Sequence, residues 1–398
     1  MCFAQQLRSR PDEINQSQPA IAEPMRKGTS LYLDLVRFFA ALMVFLEHFR
    51  EHTRNSLGAF WRSHAFWYLH LGAFSQTAVI VFFVLSGYVI AHVLATRENE
   101  PLEYAASRFA RLYSVVVPAL LLVAATNYLE AEKYPNLFQS SDSLGGVTAV
   151  LHYLGTALFM SHFWLWSNLE PPNADPFWSL SFEASFYVGI ALFVFARGRF
   201  RFLSLALLSA LAGPTMVLLA PTWLLGYGAY QVSQRRQLHV GFAIVLWLGF
   251  TLLLLLCPLI EIHIREPLSF LRMPSTRLGE LLASYAVAIC FTVNIIAFNT
   301  FSATAERLFL PFAWLIRWLG SMTFALYLFH QPLLAFFSVY NVGAGSARQV
   351  ILLIGGPFLI VATLGRLCEQ SKGTYKRCFL SMCKRAASLR LQHDSQKR

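Results

Sequence analysis

The stretch YLDLVRFFAALMVFLEH, residues 32–48, sets Asp34, Arg37, Glu47 and His48 into an apolar helix. A charge near the centre of a bilayer costs at least a few kcal/mol, so side chains of this kind point to chemistry or transport. Eleven residues at about 100° each return to within about 20° of the start and rise roughly 16 Å. Arg37 and His48 therefore share a face, with the small residues Ala40, Ala41 and Val44 between them. A basic end, a narrow floor and an imidazole at the far end suit an extended ligand lying along the helix. From this helix alone a second reading is equally open. Arg37 snorkels to the interface beside Asp34, and His48 emerges into water.

Other segments carry comparable signals. VIVFFVLSGYVI (79–90) places Ser86 and Gly87 deep in a second apolar helix, either for close packing or to admit a substrate chain. RFARLY (108–113) sets Arg108 and Arg111 on one helical face, where they can clamp phosphates or serve as topological anchors. PFWSLSFEASFYV (176–188) makes a stripe of Ser179, Glu183 and Tyr187, and Glu183 has no local cation. SMTFALYLFHQPLL (321–334) lines up Thr323, Tyr327 and His330, with Pro332 expected to kink the helix just beyond. HFREH (48–52) fits the inverted zinc-protease pattern, but it straddles a membrane boundary without a third ligand, so no metal site is assigned. There is no nucleophile elbow, phosphate-binding loop or dinucleotide fingerprint.

These residues need helices to position them, and the composition supplies them. Of 398 residues, 56% are hydrophobic and only 13% charged, against about a quarter charged in soluble domains. The expected class is an all-α, polytopic helical membrane protein. Apolar windows near 32–49, 74–95, 113–129, 202–220, 239–260, 280–299, 320–340 and 348–368 approach spanning length, with weaker ones at 147–167, 178–196 and 222–233. Residues 1–30 read as a disordered cytosolic tail without a signal peptide, 31–368 as the membrane domain, and 369–398 as a basic cytosolic tail. The net charge of +11 lies largely beside predicted spans, which favours membrane lipids over nucleic acid as its partner. Cysteines at 2, 257, 290, 368, 378 and 383 form no C-x-x-C pair and read as reduced.

Basic residues put both termini in the cytosol, which requires an even number of crossings. Loops 130–146 and 168–177 are both acidic and both read as outside. Segment 147–167 between them is therefore expected to be re-entrant or interfacial, leaving about ten transmembrane helices. Arg108 and Arg111 then face the cytosol, while His48 lies near the outer face.

Taken in order, these segments resemble the membrane acyltransferase-3 family. The resemblance rests on Asp34 and Arg37-x10-His48, FFVLSGY in the second helix, Arg108-x-x-Arg111, WSLSFEASFY (178–187) and LYLFHQPLL (326–334). Phe38, Ser114 and Ala184 depart from residues frequent in the family, and Ala184 leaves Glu183 as the one acid there.

The resemblance implies an O-acyltransferase that moves an acyl group, acetyl above all, from cytosolic acyl-coenzyme A to a hydroxyl of an extracytoplasmic glycan or lipid-linked sugar. It implies a multi-pass protein of the cell membrane, bacterial inner membrane included, with no permanently bound cofactor. His48, Arg37, Asp34 and Glu183 become the expected catalytic group. Arg108, Arg111, Ser86 and Gly87 are expected to bind the donor. Trp178, Tyr187, Tyr327 and His330 are expected to face the acceptor or support the site. His48 serves as base, or as a covalent acyl carrier. The rival is a secondary transporter or flippase with Asp34, Glu183 and His48 as a proton relay.

Overall fold

Backbone N–H and C=O groups in lipid can bond only to one another, so an apolar chain of this composition is driven into helices. The computed structural model describes residues 24–53, 74–134, 146–164, 169–265, 275–340 and 347–396. About 90% of it is helical, and no strand occurs among the described residues. The helices are α1 (Lys27–Thr53), α2 (Phe74–Thr96), α3 (Pro101–Lys133), α4 (Gly146–Ala157), α5 (Trp178–Phe195), α6 (Arg199–Ala212) and α7 (Pro214–Arg235). They continue with α8 (Val240–Arg265), α9 (Ser275–Phe309), α10 (Ala313–Tyr340), α11 (Ala347–Ile360) and α12 (Arg366–Gln396).

Seven helical stretches are long and apolar enough to cross a membrane, or eight if the bent pair Arg199–Ala212 and Pro214–Arg235 is one span. One of the seven, Leu278–Tyr340, is 63 residues long. At 1.5 Å per residue that is about 95 Å, roughly three hydrocarbon thicknesses. It breaks at the turn Leu310–Phe312 into α9 and α10. The expected ten crossings and the seven or eight found differ in that stretch and in the bent pair, which the sequence reading divides in two.

Burial sorts the bundle. The apolar window of α2 is 67% buried and that of α8 only 11% buried, so α2 is central and α8 faces lipid. α1 packs against α2, α9 and α10, and α2 lies along α7. The α2–α7 contact is set by two glycines. A Cβ on Gly87 would meet the carbonyl oxygen of Trp223 at 2.0 Å, and one on Gly226 would meet that of Val84 at 1.9 Å. Only hydrogen at these positions lets the backbones approach so closely. Hydrogen bonds between helices fix the remaining register. Tyr32 donates to Asn294, and Asn294 donates to Thr251 at 2.8 Å, tying α1, α9 and α8 together.

The two ends of the bundle are chemically distinct. Arg37, Glu98, Arg108 and Arg317 gather at one end; His48, Glu130, Asn173 and Asp175 lie at the other. Segment 147–167 dips into the bundle from the second end, and its tip reaches Tyr113, whose hydroxyl donates to the Ala157 carbonyl at 2.9 Å. Its helix α4 has 12 residues, about 18 Å, which is too short to cross. The chain after it returns to the same end, where Asn173 donates to Asn127 at 2.9 Å and to Glu130 at 3.2 Å on α3. Residues 165–168 lie outside the described residues.

α1 starts at Lys27, inside the expected N-terminal tail, and residues 1–23 are outside the described residues. The expected C-terminal tail is helical to Gln396 and docks on α3. Pro332 is accommodated within α10, which continues to Tyr340.

Candidate active site

Two cavities lie along the Arg37–His48 face of α1. The first, of about 190 Å³, is lined by Arg37 from α1, Ser86 from α2, Arg108 and Arg111 from α3, Glu183 and Tyr187 from α5, and Thr323 and Tyr327 from α10. Three arginines and one carboxylate make its lining net positive. The second, of about 130 Å³, is lined by Val44, His48, Gln76, Asp175, Trp178 and Tyr327, among others. Val79 and Tyr327 line both. A short apolar and aromatic partition thus separates an arginine cavity from a histidine cavity.

The arginines are held in place by acids. Asp34 accepts from Arg37 at 3.3 Å and is also ion-paired with Arg317 of α10. Arg108 donates to the two oxygens of Glu98 at 3.1 and 3.2 Å, and its guanidinium stands 5.5 Å from the Tyr104 ring and 5.7 Å from that of Tyr187. Its Nε is buried without a protein partner. Arg111 is close enough to Glu183 and Tyr187 to interact with both, and it also feels the charge of Arg37. Cations crowded this way favour an anion between them.

Inside the same cavity the α5 stripe closes on α2. Tyr187 donates to Glu183, and the Ser86 hydroxyl lies 3.2 Å from both Glu183 Oε1 and the Tyr187 hydroxyl. Ser179 shares a hydrogen bond of 2.8 Å with the Tyr327 hydroxyl, which fixes the partition.

In the histidine cavity, His48 Nδ1 lies 2.9 Å from Glu51 Oε2. With Nδ1–H committed to a carboxylate, Nε2 carries the lone pair. The His330 ring is 5.1 Å from that of His48, fully buried, with Nδ1 3.1 Å from the Leu326 carbonyl. His330 supports His48 from behind and lines neither cavity. Glu47 accepts the backbone N–H of Ser75 at 2.6 Å, a carboxylate at the N-terminus of α2 that anchors this wall.

Several expected placements change. Asp34 lines neither cavity and acts on Arg37 by pairing with it. Gly87 lies in the α2–α7 contact, and only its neighbour Ser86 reaches the cavity. Glu183 lines the arginine cavity, and the carboxylate bonded to His48 is Glu51. Ala40 and Ala41 are buried in helix packing, so the path from Arg37 toward His48 is bounded by α2 and α10 side chains. Trp178 lines the histidine cavity, Tyr187 the arginine cavity, and Tyr327 both.

Sequence reasoning passed over Glu51, Glu98, Val79 and Asp175. A signal existed for Glu51 in the H-x-x-E spacing, weighed only as part of a zinc signature. His52 of that pattern instead lies 3.3 Å from the Ser338 hydroxyl, and no group of three or more His, Cys, Asp or Glu among the described residues could hold a metal ion.

Comparison with curated proteins and with solved structures gives no significant match. A model of the acyltransferase-3 family, described as an acyltransferase domain, matches residues 30–365 and so takes in both cavities and every helix that lines them; the chain belongs to that family.

Proposed function

We propose that this membrane acyltransferase takes an acyl group, acetyl in the simplest case, from acyl-coenzyme A at the arginine end. It delivers that group to a hydroxyl of a glycan or lipid-linked sugar at the histidine end. The observation that supports this most is the pair of cavities meeting at Val79 and Tyr327, with arginines in one and His48 in the other. A donor whose phosphates rest among Arg37, Arg108 and Arg111 can pass its pantetheine arm toward that partition. Arg37 and His48 are about 16 Å apart along the helix axis.

The acceptor hydroxyl gives its proton to His48 Nε2 while its oxygen attacks the thioester carbonyl carbon. The C–S bond breaks, and the leaving thiolate takes the proton from the imidazolium. Glu51 orients the ring through Nδ1. An acyl group carried first on Nε2 and then passed to the hydroxyl uses the same arrangement in two steps. The basic segments 108–111, 197–201 and 235–237 support a cytosolic arginine end, with both termini in the cytosol. The membrane is then a cell membrane, the bacterial inner membrane in the simplest case.

A proton-relay transporter would need Asp34, Glu183 and His48 in one path. Asp34 lines neither cavity and is paired with Arg37 and Arg317, and the other two line different cavities. Mass spectrometry of surface glycans from cells with and without the gene tests the transferase reading. Ester-linked acyl groups should disappear with the gene and return with the wild-type chain, but not with His48→Ala. Unchanged glycan acylation, together with no release of coenzyme A by the purified protein, would refute it.

A further inference from the structure

The C-terminal helix α12 begins at Arg366, beyond the family match, yet it docks on α3, the helix that carries Arg108 and Arg111. Lys376 is ion-paired with Glu103, and the rings of Phe379 and Phe109 lie 4.7 Å apart. Cys368, in the first turn of α12, is buried. One turn before Lys376 stands Lys372, its side chain 29% exposed and ion-paired with Glu369. Four residues apart, Lys372 and Lys376 share the face of α12 that meets α3, and from there Lys372 feels the charges of Arg111 and Arg37 while Glu369 interacts with Arg111.

A separate helix, docked on the one that carries Arg108 and Arg111, thus brings a fourth cation toward the arginines. Like charges gathered there are unfavourable unless anions lie among them. Glu369 supplies one such anion, and a phosphate can supply another with more acceptor oxygens. If the thioester reaches the Val79–Tyr327 partition and the pyrophosphate rests among the arginines, the adenosine end of the donor stays outside the cavity. That is the end of the bundle where α12 stands.

We propose that Lys372 is a further donor-binding residue, exchanging Glu369 for the 3′-phosphate at the nucleotide end of acyl-coenzyme A. The proposal rests on the coenzyme A reading above. It makes α12 part of the donor site of this chain, although the helix lies outside the matched domain.

The test is binding of acetyl-coenzyme A, and of acetyl-dephospho-coenzyme A, to the full-length protein in nanodiscs. The second ligand lacks only the 3′-phosphate. Wild type should prefer the complete donor by about tenfold, the worth of one charge-assisted contact. Lys372→Ala should lose most of that preference while binding the dephospho donor like wild type. Lys372→Arg should keep the preference, and Glu369→Gln should bind the complete donor at least as tightly as wild type. Because each variant is judged by the ratio of two ligands, a partly misfolded preparation does not imitate the effect. If wild type binds neither ligand, the coenzyme A reading falls and the proposal with it. If wild type binds both and Lys372→Ala keeps the full preference, the role of Lys372 alone is refuted.

Discussion

Glu51→Gln isolates what the His48–Glu51 pair contributes. The amide retains size and one acceptor oxygen but loses the charge that faces Nδ1–H at 2.9 Å. Hydrogen bonds to charged groups are worth about 1.5–3 kcal/mol when buried. Glu51 is 53% exposed, so solvent screening reduces this to about 1 kcal/mol. That corresponds to about a fivefold fall in kcat. KM for the donor should not move, because Glu51 lines neither cavity. His48→Ala should lose about 10²–10⁴-fold in kcat, as a general base typically contributes. The assay is steady-state acyl transfer by the purified protein in nanodiscs, with Glu51→Asp as the conservative variant expected to recover part of the rate. The decisive comparison is the double variant. Glu51 acts only through the imidazole, so Glu51→Gln should cost nothing further once His48 is alanine. A full additional loss in that background, or an unchanged kcat in the single variant, would refute the positioning role.

Three other outcomes follow from the same geometry. Arg111→Ala should raise the donor KM by about tenfold or more with little change in kcat, and Arg108→Ala should raise it less because Glu98 already holds that guanidinium; equal kcat losses without a KM change would contradict this. Gly87→Ala should lower the detergent melting temperature, since its Cβ would sit 2.0 Å from the Trp223 carbonyl oxygen, and overpacking of this kind typically costs about 1–3 kcal/mol; Ser86→Ala should leave stability nearly unchanged while weakening donor use. Single cysteines placed at Ser141 and Asn173 should react with an impermeant reagent from the same side of the membrane, and labelling from opposite sides would show that segment 147–167 crosses.

The class of this protein was legible from composition, because an apolar chain in lipid has few choices besides the helix. The spacing of Arg37 and His48 placed them on one face, since the helical repeat fixes angle regardless of what surrounds it. Chain-local arithmetic ended there. It could not tell that the floor of the path is made by α2 and α10 instead of Ala40 and Ala41, because which helix lies against that face depends on packing among segments far apart in sequence. Ser86 and Gly87 are neighbours in the chain, yet about 100° apart around α2. One faces the cavity and the other faces α7, a division that exists only once both neighbours are in place. Glu183 has no local cation in the sequence, and only the docking of α5 sets it near Arg111, while Glu51, three residues from His48, meets the imidazole by local geometry. The sequence determined which residues are costly in a membrane; tertiary packing decided which of them share a cavity, because proximity across helices is a property of the assembled bundle.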